Sequence, residues 1–92
     1  MSAPQVTASR VQAALTEAFA PAHLHVQDDS AAHAGHAGAR EGRHFSVVIT
    51  SERFRGANRV ARHRLVYDAL ASLIAEGIHA LAIVAKSPDD PS

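Results

Sequence analysis

The chain has no cysteine and no tryptophan, and aromatic residues make up 4% of its 92 positions. Without cysteine there is no disulfide scaffold, no thiol nucleophile and no metal site built from the chain's own thiolates. So few aromatics exclude a bulky core and disfavour base stacking by an exposed strand. No apolar run approaches the roughly 18–20 residues needed to cross a bilayer. The first residues lack a basic start followed by an apolar stretch, so no export signal is expected. These absences point to a soluble, cytoplasmic protein without a membrane partner. Nine basic and nine acidic residues cancel, which argues against a partner held by bulk charge. G-x-S-x-G, G-x-x-x-x-G-K and G-x-G-x-x-G are all missing, so neither a serine hydrolase nor a phosphate cradle is legible and catalysis is not expected.

What is present is alanine, 20 residues of it, and histidine, seven residues. Chain length allows one domain, residues 1–92. Val11, Ala14, Leu15, Ala18 and Phe19 follow one helical face, predicting a helix over about 4–19 capped by Ser2 or Thr7 and ended before Pro21. Leu24 and Val26 alternate with His23, His25 and Gln27, predicting a strand with one wet face over 23–27. Periodicity is lost over about 29–42, where small residues surround His33 and His36, so a flexible loop is expected. Phe45, Val47 and Ile49 mark a second strand over 43–51. Val66, Leu70, Leu73 and Ile74 mark one long helix over about 58–75, with Asn58 as N-cap and Gly77 as stop. A third strand follows over 78–85. Flexible ends are expected over about 1–4 and 87–92.

The order is thus α-β-β-α-β. A direct return between the first two strands makes them antiparallel, and the helical crossover makes the third parallel to the second. The expected fold is an α+β sandwich, a three-stranded mixed sheet with helices on one face. A type II KH topology has this order, although its G-x-x-G phosphate clamp is missing.

Histidine is the metal-capable resource. His23 and His25 alternate with core residues and read as solvent-facing; His44 lies on the face opposite Phe45, and its bland structural reading is preferred. His63 reads as a packing or surface residue of its helix. His33 and His36 have chelating spacing, and His79 with Asp28 or Asp29 completes a zinc set only if the loop folds back onto the sheet edge. The other signal is basic. Arg53, Arg55, Arg59, Arg62 and Arg64 fall within twelve residues containing no acid, and arginine pairs bidentately with phosphate. Arg55, Arg59, Arg62 and Arg64 are therefore candidate nucleic-acid contacts, with Arg55, Arg59 and Arg62 expected along one ridge.

His44-Phe45, Phe54-x-Gly56, Arg62-His63-Arg64-x-Val66-Tyr67 and His79-Ala80-Leu81 resemble, in order and spacing, the motifs of the BolA-like proteins. Asp28-Asp29-Ser30 followed by His33 resembles the acidic-serine loop of that family's subgroup with a loop histidine. The resemblance spans about residues 11–88. Two departures stand out: Asp29 replaces a usual glutamate, and 87–92 lacks a common tail aromatic.

The resemblance implies a type II KH-like sandwich and a non-enzymatic adaptor. Its implied partner is a monothiol glutaredoxin of the Cys-Gly-Phe-Ser type, with which it binds or traffics a [2Fe–2S] cluster. The implied ligands are His79 and the loop histidine His33, with His36 in reserve. Each iron needs two ligands beyond the bridging sulfides, and imidazoles can replace thiolates on one iron. A partner cysteine and glutathione would complete the set, so no cofactor is expected in the isolated chain, a monomer or weak homodimer. Some members of the family are DNA-binding transcriptional regulators, the role the arginine-rich helix would serve here.

Overall fold

A computed structural model describes residues 6–29 and 43–90. Helix α1 (Ala8–Phe19) starts at Thr7, whose hydroxyl accepts from the Arg10 N–H at 3.2 Å. Val6 before the cap and Val11 inside the first turns are both buried, the positions of a hydrophobic staple. The helix stops at Ala20, which takes a left-handed conformation (φ 44°) just ahead of Pro21.

Strands β1 (His23–Asp28), β2 (Arg43–Thr50) and β3 (Ile78–Lys86) form one sheet in the order β1-β2-β3. β1 pairs antiparallel with β2, and β2 pairs parallel with β3, as the connection types predict. Phe45, Val47 and Ile49 of β2 and Ile83 of β3 face α1 and the later helices. With Val11, Leu15, Phe19, Phe54, Val66, Leu70 and Leu73 they form the core. The Phe19 and Phe54 rings stack at 4.9 Å between centroids, an aromatic pair of the kind that adds about 0.5–1.5 kcal/mol beyond area burial. His25, Val48 and Val84, aligned by the strand register, point to the opposite face and are exposed.

Two expectations need correction. The long helix is two: α2 (Arg59–Ala69) and α3 (Ala71–Glu76), broken at Leu70. Neither proline nor glycine causes this break. Leu70 leaves helical geometry (φ −102°, ψ 9°) while its own side chain is completely buried, between segments that bury Val66 and Leu73. Packing sets the break, not local propensity.

Of the tail expected to fray over 87–92, the described residues 87–90 are tied down through Asp90. Ser87 is buried, and its hydroxyl donates to Asp89 and Asp90 while its N–H donates to Asp90 at 3.1 Å. A 3-10 turn, Glu52–Phe54, also leads from β2 toward α2. Ser51 caps it, accepting from the Arg53 N–H at 3.1 Å and donating to the Phe19 carbonyl at 2.7 Å. Gly56 follows in left-handed backbone (φ 80°), which lets the chain turn into the Asn58 cap of α2.

Candidate functional site

The parallel register slips at one place. Arg43 lies opposite Ile78, but His44 lies opposite Ala80, so His79 is an extra residue in β3. Such a bulge re-aims a side chain out of the ordinary alternation. Here it puts both His79 and Ala80 on the exposed side, while Ile78 stays buried. The His79 ring thereby comes beside that of His44, 5.3 Å between centroids and tilted by 38°. His44, which sequence reasoning read as structural, is half-buried and forms one side of this pair. Its signal was the motif position beside Phe45 on the outward face; the bulge that completes the pair leaves no local trace.

The same end of the sheet carries both anchors of the 30–42 segment. The Asp29 N–H donates to the His44 carbonyl at 2.7 Å, and the Arg43 N–H donates to the Gly77 carbonyl at 2.9 Å. The Asp29 carboxylate accepts from the Ser46 hydroxyl and, at 2.8 Å, from the Gln27 amide. Asp28 and Arg43 pair at 3.3 Å between the two strands. A shallow cavity of about 250 Å³ runs between Asp29, His44 and Ala80–Ala82. His33 and His36 lie outside the described residues. Among the described residues no three of histidine, cysteine, aspartate or glutamate are grouped to hold a metal ion. The described site thus consists of two neighbouring imidazoles, His44 and His79.

The arginines separate into two kinds. Arg55 pairs with Glu52 at 2.7 Å and with Asp89 at 2.9 Å. Arg62 is largely enclosed: it donates to the Ala57 carbonyl at 2.8 Å, to the Ala85 carbonyl at 3.1 Å and to both oxygens of Asp90. Hydrogen bonds from Arg62, then from Ser87, hold the Asp90 carboxyl far below the ordinary aspartate range, and the Arg62 guanidinium is correspondingly raised. The hydrogen bond from Arg55 likewise lowers Glu52. Arg59 and Arg64 make no ion pair among the described residues. The single ridge of Arg55, Arg59 and Arg62 expected from spacing is therefore neutralised at two of its three positions. Of the acids responsible, Glu52 borders the acid-free window, whereas Asp89 and Asp90 come from the far end of the chain.

This architecture and these motifs have known counterparts. The sequence profile described as BolA-like protein matches residues 15–90. The chain belongs to the BolA-like family. The structure of BolA1 from Arabidopsis thaliana is 43% identical with a TM-score of 0.79, covering 97% of this chain and 100% of that one. SufE-like protein 1 of the same plant is 44% identical over 85 residues, covering 86% of this BolA-like chain and 23% of that protein. A protein of Escherichia coli named DNA-binding transcriptional regulator BolA is 40% identical over 74 residues, covering 80% of this chain and 69% of that protein. The chain spans 54% of the full-length chloroplastic BOLA1 of Arabidopsis thaliana, about half. No helix among the described residues is long and apolar enough to cross a membrane.

Proposed function

We propose that this BolA-like chain is a non-enzymatic adaptor that shares a [2Fe–2S] cluster with a monothiol glutaredoxin of the Cys-Gly-Phe-Ser type and with glutathione. The observation that carries the reading is His79, turned outward by the β3 bulge beside the strand ends that anchor the histidine-bearing segment. His33 follows Asp29 by four residues, so at most about 14 Å of chain separates it from that anchor. His36 lies seven positions from either anchor, Asp29 and Arg43, and is kept as the reserve ligand.

The donor chemistry fits an incomplete site. Imidazoles can replace thiolates on one iron of such a cluster. With no cysteine in the chain, the thiolates for the other iron must come from the partner and from glutathione. Binding requires neutral imidazoles. Ordering the 30–42 segment on docking would be offset by iron–nitrogen bonds. The reading includes a cytoplasmic location and a monomer or weak homodimer when unpartnered.

Mixing the chain with cluster-loaded glutaredoxin and glutathione should change the visible absorption and circular dichroism of the cluster. His79→Ala should abolish that change and His33→Ala weaken it. An unchanged spectrum on mixing, or the same change with His79→Ala, refutes the assignment.

A second reading, a DNA-binding regulator, is favoured by the name of the Escherichia coli relative and by Arg59 and Arg64, which make no ion pair among the described residues. It requires duplex affinity that falls steeply with salt. With Arg55 and Arg62 already paired to carboxylates, Arg59→Ala and Arg64→Ala should each reduce that salt slope, whereas Arg55→Ala should not.

A further inference from the structure

β3 is an edge strand whose outer side is only partly closed. The Ser51 N–H donates to the Lys86 carbonyl, so Lys86 faces β2. The Ala85 carbonyl, one residue earlier, points the other way and is taken by Arg62. By the alternation of strand backbone, Leu81 and Ile83 also direct their N–H and C=O groups away from β2. No other described backbone pairs with them there, because β3 ends the sheet. Among the described residues, Arg62 thus blunts one end of the edge and leaves the middle without a main-chain partner.

Beside this open stretch runs a groove of about 450 Å³ between the first turns of α2 and β3, lined by Asn58, Arg59, Arg62, His63, Ile83 and Val84. Its two walls differ. Val84 is 47% exposed on the bare face of the sheet. On the other side Arg59 is exposed without an ion pair among the described residues, and His63 stands next to the enclosed Arg62. A strand laid along this edge would send alternate side chains to these two walls, one apolar and one cationic.

We infer that the β3 edge and the α2 groove accept an extended segment of a partner protein with alternating acidic and apolar residues, added as a fourth strand. Main-chain hydrogen bonds to Leu81 and Ile83 supply the pairing, and the walls supply selectivity. Charge favours this occupant over a second copy of β3, whose segment Ile78–Lys86 contains no acid and carries Lys86, a like charge for Arg59.

The test uses the whole protein and the peptide acetyl-Val-Glu-Val-Glu-Val-Glu-amide, followed by amide NMR to millimolar peptide. The expected result is selective movement and exchange protection of the Leu81 and Ile83 amides. The lysine counterpart should bind more weakly, and Arg59→Glu should reverse that order. N-methylating the valine amides or the glutamate amides separates the two edges of the added strand. One of these two peptides should lose about tenfold or more in affinity through missing main-chain bonds, and the other should keep it. Equal binding by both methylated peptides, or no movement at Leu81 and Ile83, overturns the inference. So does a single-stranded oligonucleotide that moves these amides when the peptide does not, which would assign the groove to nucleic acid.

Discussion

Where β2 and β3 end, Ser51 bridges β2 to the last carbonyl of α1, and Ser87, Asp90 and Arg62 bridge the tail to α2 and to the last turn of β3. Where the same strands begin, the register slips, two imidazoles stand together at the surface, and the anchoring bonds are those of Asp29 and Arg43. Both ends belong to one small sheet, yet one spends its polar groups on closing the structure and the other keeps imidazole donors outward. The contrast teaches that closure of the structure and display of imidazoles are separated along the strands. The end that carries the imidazoles can stay less tied because the far end, together with the apolar face, fixes the sheet.

The sharpest way to break this contrast is in the core under the closed end. Phe54 is fully buried and stacked on Phe19. Phe54→Ala should cost about 3–5 kcal/mol, which for a domain this size removes most of the folding free energy. Chemical denaturation followed by circular dichroism should show a large fall in midpoint or no folded baseline. Ser51→Ala comes next. It removes the 3-10 cap and strands the Phe19 carbonyl, an expected loss of about 1–3 kcal/mol by the same measurement.

Asp90→Asn sharpens the comparison through pH. The Asp90 carboxyl is depressed in the folded chain, so its contribution is complete above the unfolded value near 4 and is lost as pH falls toward the folded value. The variant should melt at a lower temperature at pH 7, and its deficit should shrink progressively below about pH 4. A deficit independent of pH would show that the clasp does not work through the ionised carboxylate. The smallest effect is expected at the other end: His79→Ala should leave stability within about 0.5 kcal/mol of the parent while eliminating cluster spectral changes. A large loss of stability there would make the histidine pair structural and dissolve the contrast.

Much of this was legible before any coordinates. The face Val11-Leu15-Phe19 and the alternation of Phe45, Val47 and Ile49 announce their elements because burial on one side imposes the period. Pairing directions follow from connection type. His79 stands out as an outward candidate through its motif. What the string concealed was contact between distant residues. Nothing local marks the break at Leu70, and the acids that cancel Arg55 and Arg62 lie outside the basic cluster, two of them more than twenty residues further along the chain. The partnership of His44 with His79 depends on a one-residue slip between strands joined by a crossover.

The sequence by itself determined the apolar faces of the first helix and the second strand, the order and pairing of the strands, and the absence of any thiolate, since each follows from side-chain chemistry and short-range periodicity. Tertiary structure alone decided which imidazole meets His79, which arginines are paired with carboxylates and how Arg62 closes one end of the β3 edge. Those outcomes turn on register and on ion pairs a few ångströms long between segments far apart in the chain, and no local preference encodes such distances.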